Sequence, residues 1–175
     1  QTMVTRRFDV FDPVVATVGR IQSGTTSNVI PEFAEMEITL RSLSVEARAR
    51  LAAAVEKLVR EIPAAHGLEV SFDIEKGYPP TVNHQSGAQA VAQVAKAVLG
   101  ENQYMEMATP WMGAEDFSYL LERFPGAFVF LGAAPIDGEP QPCHSSRMRL
   151  NEAAFPAGVA MYAALALQEL ADKPH

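Results

Sequence analysis

Apolar and polar positions alternate strictly from residue 34 to 42. Met36, Ile38 and Leu40 share one face, and Glu35, Glu37, Thr39 and Arg41 share the other. That period of two predicts a strand with one buried face. It returns at 68–76, with Leu68, Val70, Phe72 and Ile74 set against Glu69, Ser71, Asp73 and Glu75. The β-rich run from Val14 to Ile21 predicts another strand, and Ser23 to Pro31 reads as a turn-rich loop. Between the alternating stretches, Leu51, Val55, Leu58, Val59 and Ile62 follow helical spacing. Ser44 can cap the first turn of that helix, although Ala47 breaks the strict capping box, and Gly67 supplies a stop. Residues 14–76 therefore read strand, strand, helix, strand. This is the last part of a ferredoxin-like βαββαβ sandwich whose first strand and helix are missing or truncated, and a helix ending near Arg6 would be the tail of that helix.

The texture changes after Tyr78-Pro79-Pro80-Thr81, where two prolines stop the strand. Residues 86–99 predict an alanine-rich helix with Ala88, Val91, Ala95 and Val98 along one face. A short strand is expected within 101–107, a helix over 114–124, and a strongly apolar helix over 155–170. Residues 127–131 are apolar without alternation, which predicts a strand buried on both faces. The fold class is α/β, with the incomplete βαββαβ unit over 1–81 and part of an α/β layer domain over 82–175. No internal repeat interrupts this order.

Composition narrows the classes. The 175 residues are 48% hydrophobic and 20% charged, close to globular averages, so a disordered chain is excluded. The net charge of −7, with no basic cluster above it, argues against a nucleic-acid partner. Apolar stretches are interrupted before the roughly 18 residues a membrane span needs, so no membrane partner is expected. One cysteine excludes an intramolecular disulfide and a paired-cysteine metal knuckle. It fits a cytoplasmic setting, as does the lack of a signal pattern at Gln1-Thr2-Met3-Val4. That start, without Met at position 1, suits a processed terminus or a piece of a longer chain.

Four histidines are present. His66 at a helix end and the terminal His175 suit the surface, and His84 opens a helix. His144 differs, because Gln141-Pro142-Cys143-His144-Ser145-Ser146-Arg147 is a polar loop between a predicted strand and a predicted helix, where α/β proteins place ligands. Spacing alone leaves its role open between ligand and structural side chain. Glu115 and Asp116, after Gly113, suit either a helix dipole or a carboxylate presented to a ligand, and the dipole account is the simpler. Cys143 beside His144 is a poor nucleophile pair, since adjacent residues in an extended loop point apart. Asn28 and Arg41 offer an amide and a bidentate guanidinium fork, a suitable receptor for a carboxylate, although Arg41 on a solvent face also serves as a plain surface charge. A metal hydrolase needs three or more protein ligands per ion. The chain shows one convincing histidine and no His-x-Asp pair, so by residues alone it does not build a complete catalytic metal site.

Three ordered segments carry a resemblance: Gly24-Thr25-Thr26-Ser27-Asn28-Val29-Ile30-Pro31, Met112-Gly113-Ala114-Glu115-Asp116-Phe117-Ser118, and Pro142-Cys143-His144-Ser145-Ser146-Arg147. With Asn151-Glu152-Ala153-Ala154-Phe155-Pro156 leading into the last helix, they resemble the zinc-dependent amidohydrolase and carboxypeptidase superfamily. The similarity is to its branch of hippurate hydrolases, N-acyl-amino-acid amidohydrolases and auxin-conjugate hydrolases. The resemblance implies an α/β catalytic domain holding two divalent ions (zinc, manganese, nickel or cobalt) and a smaller lid domain that commonly forms a homodimer. It covers the whole chain but only the C-terminal part of the family pattern. The missing N-terminal half would supply most metal ligands and the glutamate general base, so no catalytic residue is assigned in this chain.

Carried over residue by residue, the resemblance makes His144 a metal ligand, Asn28 and Arg41 substrate-binding residues of the lid, and Glu115 a neighbour of the metal site without an assigned role. Ser146 stands where the family commonly has proline. The implied chemistry is metal-assisted amide hydrolysis, in which the ions activate a water and a glutamate moves its proton. The expected substrate is an N-acyl amino acid or a related small amide, with the isolated chain inactive. The alternative is a stand-alone dimerisation or binding module with a degenerate catalytic remnant. Exposed apolar surface in 127–131 and 158–167 would favour the first account.

Overall fold

The computed structural model describes residues 2–171, so Gln1 and His175 lie outside the described residues. The chain forms two compact units. One holds the residues up to Thr81 together with Thr109–Ser118; the other holds Val82–Ala108 and the residues from Tyr119 onward.

The first unit is built on an antiparallel hairpin of β1 (Val14–Ser23) and β2 (Ala34–Ser42). Val14, Ala16, Val18 and Ile21 pair with Ser42, Leu40, Ile38 and Met36, while Val15, Thr17, Arg20 and Gln22 pair with Arg41, Thr39, Glu37 and Glu35. Directly opposed residues share a face, so the apolar and polar sides are continuous across both strands. A bulge between Val18 and Arg20 makes this possible. Without the extra residue, Gly19, strict alternation would turn Arg20 onto the apolar face. Arg20 instead hydrogen-bonds Glu37 and lies 3.6 Å from Glu35. The Glu37 hydrogen bond, followed by the charges of Glu37 and Glu35, holds the Arg20 guanidinium above its ordinary pKa.

Helix α1 (Thr2–Arg7) and helix α2 (Val45–Ala65) complete this unit. Ser44 caps α2, its Oγ accepting the Ala47 N–H at 3.0 Å and donating to Asp12 Oδ2 at 2.7 Å. The helix ends at Ala65, and Gly67 just beyond it turns the chain with a φ of 71° that suits a residue without a Cβ. Ala47, Leu51 and Val55 recur every four residues and are buried with Val14. Met3, Val4, Phe8, Leu40, Val59 and Phe72 pack around them. Leu51, almost fully enclosed, contributes about 1.5–3 kcal/mol by leaving water. Ile62, expected on the same face, is 57% exposed because it lies in the last turns of the helix, beyond this core.

The expected strand at 68–76 does not form. Its alternation reports a face, since Phe72 packs on the core beneath the Arg60 guanidinium, 5.9 Å from the ring centroid. A strand also needs a neighbouring backbone, and no ladder reaches these residues among those described.

In the second unit, α3 (Gln85–Leu99) buries Val91, Val94 and Ala95 and packs against α5 (Phe155–Ala171). The short strand expected in 101–107 is instead a 3₁₀ turn at Glu101–Gln103 followed by irregular chain. The continuous strand at 127–131 is also absent. Val129, Phe130 and Leu131 are about half exposed, not buried on both faces, because no backbone ladder flanks them among the described residues. The helix expected over 114–124 contracts to α4 (Ser118–Leu121). The buried Ser118 spends both its N–H (3.2 Å) and its hydroxyl (2.6 Å) on Glu115 O, closing a turn where the helix would have begun. Glu115 and Asp116 therefore precede the helix and do not form its first turn.

Helix α5 carries no buried residue among those described. With the preceding 3₁₀ turn it makes Glu152–Ala171, which by length and composition is long and apolar enough to cross a membrane, at a mean hydropathy of 1.3. This differs from the interrupted stretches read in the sequence, because the polar residues Glu152, Gln168 and Glu169 fall at the two ends of the run. A core helix has the same length and composition.

Candidate functional site

Arg41 stands on the polar face of β2, opposite Val15. Its exposed side chain turns to a distant segment, Nη1 donating to the Met112 carbonyl at 2.7 Å. This bond joins positions 71 apart in the chain and ties Thr109–Ser118 to the hairpin within the first unit. Among the described residues Arg41 makes no ion pair, so its charge is not neutralised by a neighbouring carboxylate. A guanidinium carries five N–H donors in one plane, and a single bond to a neutral carbonyl leaves most of that capacity for an anion.

Asn28 sits in the loop that joins the two strands, at the end of the hairpin away from Arg41. Gly24, with φ of 76°, opens the turn, and Ser23 Oγ closes the base by donating to Phe33 O at 2.9 Å. Thr26 Oγ1 donates to Asn28 Oδ1 at 3.2 Å. That bond takes one of the two Oδ1 lone pairs, and Nδ2 is the donor that an oxyanion or carboxylate would use. Beside the loop lies a groove of about 430 Å³, lined among others by Gln22, Thr25, Val29, Ile30 and Phe33. Seven residue steps along extended β2 separate its Ala34 end from Arg41, about 23 Å at 3.3 Å per residue. No hydrogen bond links Asn28 to Arg41 among the described residues.

Glu115 is half-buried in the Met112 loop, with its carbonyl held by Ser118. Gly113 has a specific reason here. A Cβ at that position would stand 3.1 Å from the Trp111 ring, which leans over the glycine. The structure thus brings Arg41 and the Glu115 loop together. The sequence offered no route to this pairing, because the acceptor is a backbone carbonyl.

His144 belongs to the second unit, on an exposed turn. Ser145 N–H bonds to Pro142 O at 2.9 Å, and Ser145 Oγ accepts the Arg147 N–H at 3.1 Å. The neighbouring Cys143 is also exposed. Imidazole is a suitable donor for zinc, manganese, nickel or cobalt. No group of three or more His, Cys, Asp or Glu side chains converges among the described residues. These residues therefore do not complete a metal centre by themselves.

The family model for peptidase family M20/M25/M40 matches residues 6–168. The chain is 33% identical to IAA-amino acid hydrolase ILR1-like 2 of Arabidopsis thaliana, over 99% of the chain and 40% of the relative. It is also 33% identical to N-acetyldiaminopimelate deacetylase of Geobacillus thermodenitrificans, over 91% of the chain and 41% of the relative. Among solved structures it resembles the YXEP protein of Bacillus subtilis, described as a dinuclear metal-binding peptidase of the M20 family. The TM-score is 0.77 at 30% identity, over 91% of this chain and 43% of that one. The chain thus spans about 40% of the length of these relatives.

Proposed function

The chain belongs to peptidase family M20/M25/M40, and on that premise we propose that it forms the lid and the C-terminal catalytic segment of a metal-dependent amidohydrolase acting on N-acyl amino acids. The observation that carries this is the family match over residues 6–168, which spans both the Arg41 and His144 sites. Two relatives are named for hydrolysing an amino acid conjugate and for removing an acetyl group from an amino acid derivative, which supports the substrate class. Arg41 would take the substrate carboxylate with its remaining guanidinium donors. Asn28 Nδ2 would donate to a substrate oxygen, and His144 would give one imidazole to the metal pair of the complete enzyme. When bound, that pair polarises the scissile amide and activates a water.

The isolated 175-residue chain is expected to lack turnover, since it offers a single convincing metal-ligand histidine. Half-exposed Val129, Phe130 and Leu131, with Val159 and Leu167 each 69% exposed, suit a chain whose apolar surfaces are covered in a larger assembly. The lid would also pair with a second copy along an open strand edge, as unpaired ladders do.

Hippurate hydrolysis by the purified chain, assayed with added manganese or zinc, tests the catalytic part. Product released at a chelator-sensitive rate would overturn the proposed inactivity. Equilibrium dialysis with hippurate and with its neutral amide tests the substrate part. Binding should require the carboxylate and Arg41, and equal binding of the two compounds would remove Arg41 from the receptor.

A further inference from the structure

We infer that Arg41 couples carboxylate binding to the Trp111–Glu115 loop, its guanidinium bridging Met112 O and the ligand at once. The inference rests on the reading of Arg41 as the substrate-carboxylate receptor and adds a mechanical consequence to it.

The guanidinium is planar, and the bond from Nη1 to Met112 O restrains that plane by holding one of its edges. The opposite edge, Nε with Nη2, then presents two parallel donors, the pattern a carboxylate accepts bidentately. Arg41 is exposed, so packing does little to restrict its rotamers, and the Met112 carbonyl is the contact that aims the fork. The reverse also holds. Residues 109–117 contain no helix or strand, and Arg41 fastens them to β2 across 71 positions of sequence. A carboxylate that immobilises the guanidinium must therefore steady the loop that carries Glu115 and Asp116. Trp111, the only tryptophan in the chain, precedes Met112 and leans over Gly113, so it reports on this loop directly.

Hippurate and its neutral amide are the probes, applied to the 175-residue chain, to Arg41→Lys and to Arg41→Met. Far-UV circular dichroism checks the fold of each variant, which an exposed position should preserve. Trp111 emission and hydrogen exchange at Ser118, whose N–H bonds Glu115 O at 3.2 Å, are the readouts. Without ligand, both variants should exchange this amide at least about threefold faster than wild type, as a locally loosened loop does. Hippurate should shift Trp111 emission and slow exchange in wild type, while the amide should do neither. Arg41→Lys keeps the charge but loses the fork, and it should show no hippurate response. Equal ligand-free exchange in wild type and both variants overturns the inference. So does hippurate that binds by equilibrium dialysis yet leaves Trp111 and the Ser118 amide unmoved, and in that case the functional reading stands. Hippurate that does not bind at all removes both.

Discussion

The side-chain amide of Asn83 stands in for a neighbouring strand beside Phe128. Its Nδ2 donates to Phe128 O at 2.9 Å, and its Oδ1 accepts the Phe128 N–H at 2.7 Å. One side chain thus satisfies both backbone groups of a residue that no ladder pairs among those described. The adjacent residue extends the contact, with His84 N–H bonding Gly126 O at 2.9 Å and His84 Nδ1 accepting the Gly126 N–H at 3.3 Å. Asn83→Ala removes two hydrogen bonds at an exposed site, worth about 0.5–1.5 kcal/mol each. The expected outcome is a loss of about 1–2 kcal/mol in urea unfolding, with faster amide exchange at Phe128. Wild-type protection at Phe128 in the variant would show that the pairing contributes nothing.

Gly87 and Gly126 meet backbone to backbone. A Cβ at Gly87 would lie 2.5 Å from the Gly126 carbonyl carbon, and a backbone atom cannot swing aside as a side-chain end can. Gly87→Ala should therefore destabilise by about 1–3 kcal/mol, despite the roughly 1 kcal/mol that alanine gains over glycine inside a helix. Gly158→Ala is the internal control. Its added Cβ meets only Leu131 Cδ2, at 3.1 Å, the end of a half-exposed side chain that can rotate. Thermal melts of the two variants should differ in direction or at least strongly in size. Similar destabilisation by both would sink the steric account.

Which features could be read from the sequence follows from where their physical cause lies. The polar face of β2 was legible, because alternation at Ile38, Leu40 and Arg41 is a property of the strand itself. Helix α2 and its Ser44 cap were legible for the same reason. The bulge at Gly19 was not, since only the register against β2 shows that the phase resets there. The strands expected at 68–76 and 127–131 were misread. Apolar pattern reports burial, but a ladder depends on a neighbour that the local sequence does not contain. At the candidate site, Asn28, Arg41, Glu115 and His144 were singled out by residue chemistry and by motif resemblance. The Met112 carbonyl that anchors Arg41 was not, because a backbone acceptor has no residue signature.

The α2 cap gives a third prediction. Ser44 Oγ receives the Ala47 N–H and donates to Asp12, so it links the helix start to the segment before β1. Ser44→Ala should cost about 1 kcal/mol, the usual value of a lost N-cap. Ser44→Asp keeps an acceptor for Ala47 but places a carboxylate against Asp12. It should recover the cap only at raised salt, where that repulsion is screened. Urea midpoints of the three proteins at low and high salt separate these effects, and a salt-independent Ser44→Asp midpoint would argue against the Asp12 contact.

The cross-strand cluster has a definite sign with respect to pH. Glu37 and Glu35 raise the Arg20 pKa in the folded chain. A raised pKa contributes stability that is present below the unfolded value and is lost only as pH rises through the folded one. For an arginine that window lies above the alkaline range in which proteins are handled. The Arg20 contribution should thus stay constant from neutral to moderately alkaline pH, and Arg20→Gln should lower stability by the same amount throughout. Salt should shrink the difference, because all three side chains are exposed. A gap between wild type and Arg20→Gln that closes between pH 7 and about 9.5 would contradict this assignment.

Metal binding separates the chain's own chemistry from that of the larger enzyme proposed for it. A lone exposed imidazole supplies one of the four donors a tetrahedral zinc ion takes, and water must fill the rest. Such an ion exchanges freely and does not survive gel filtration. The purified chain loaded with zinc should therefore emerge with far less than one equivalent, and His144→Ala should be indistinguishable from it. Equimolar zinc retained by wild type and lost from His144→Ala would mean that further donors gather around His144 in solution. That result would overturn the one-ligand account and make chelator-sensitive activity in the isolated chain the next thing to measure.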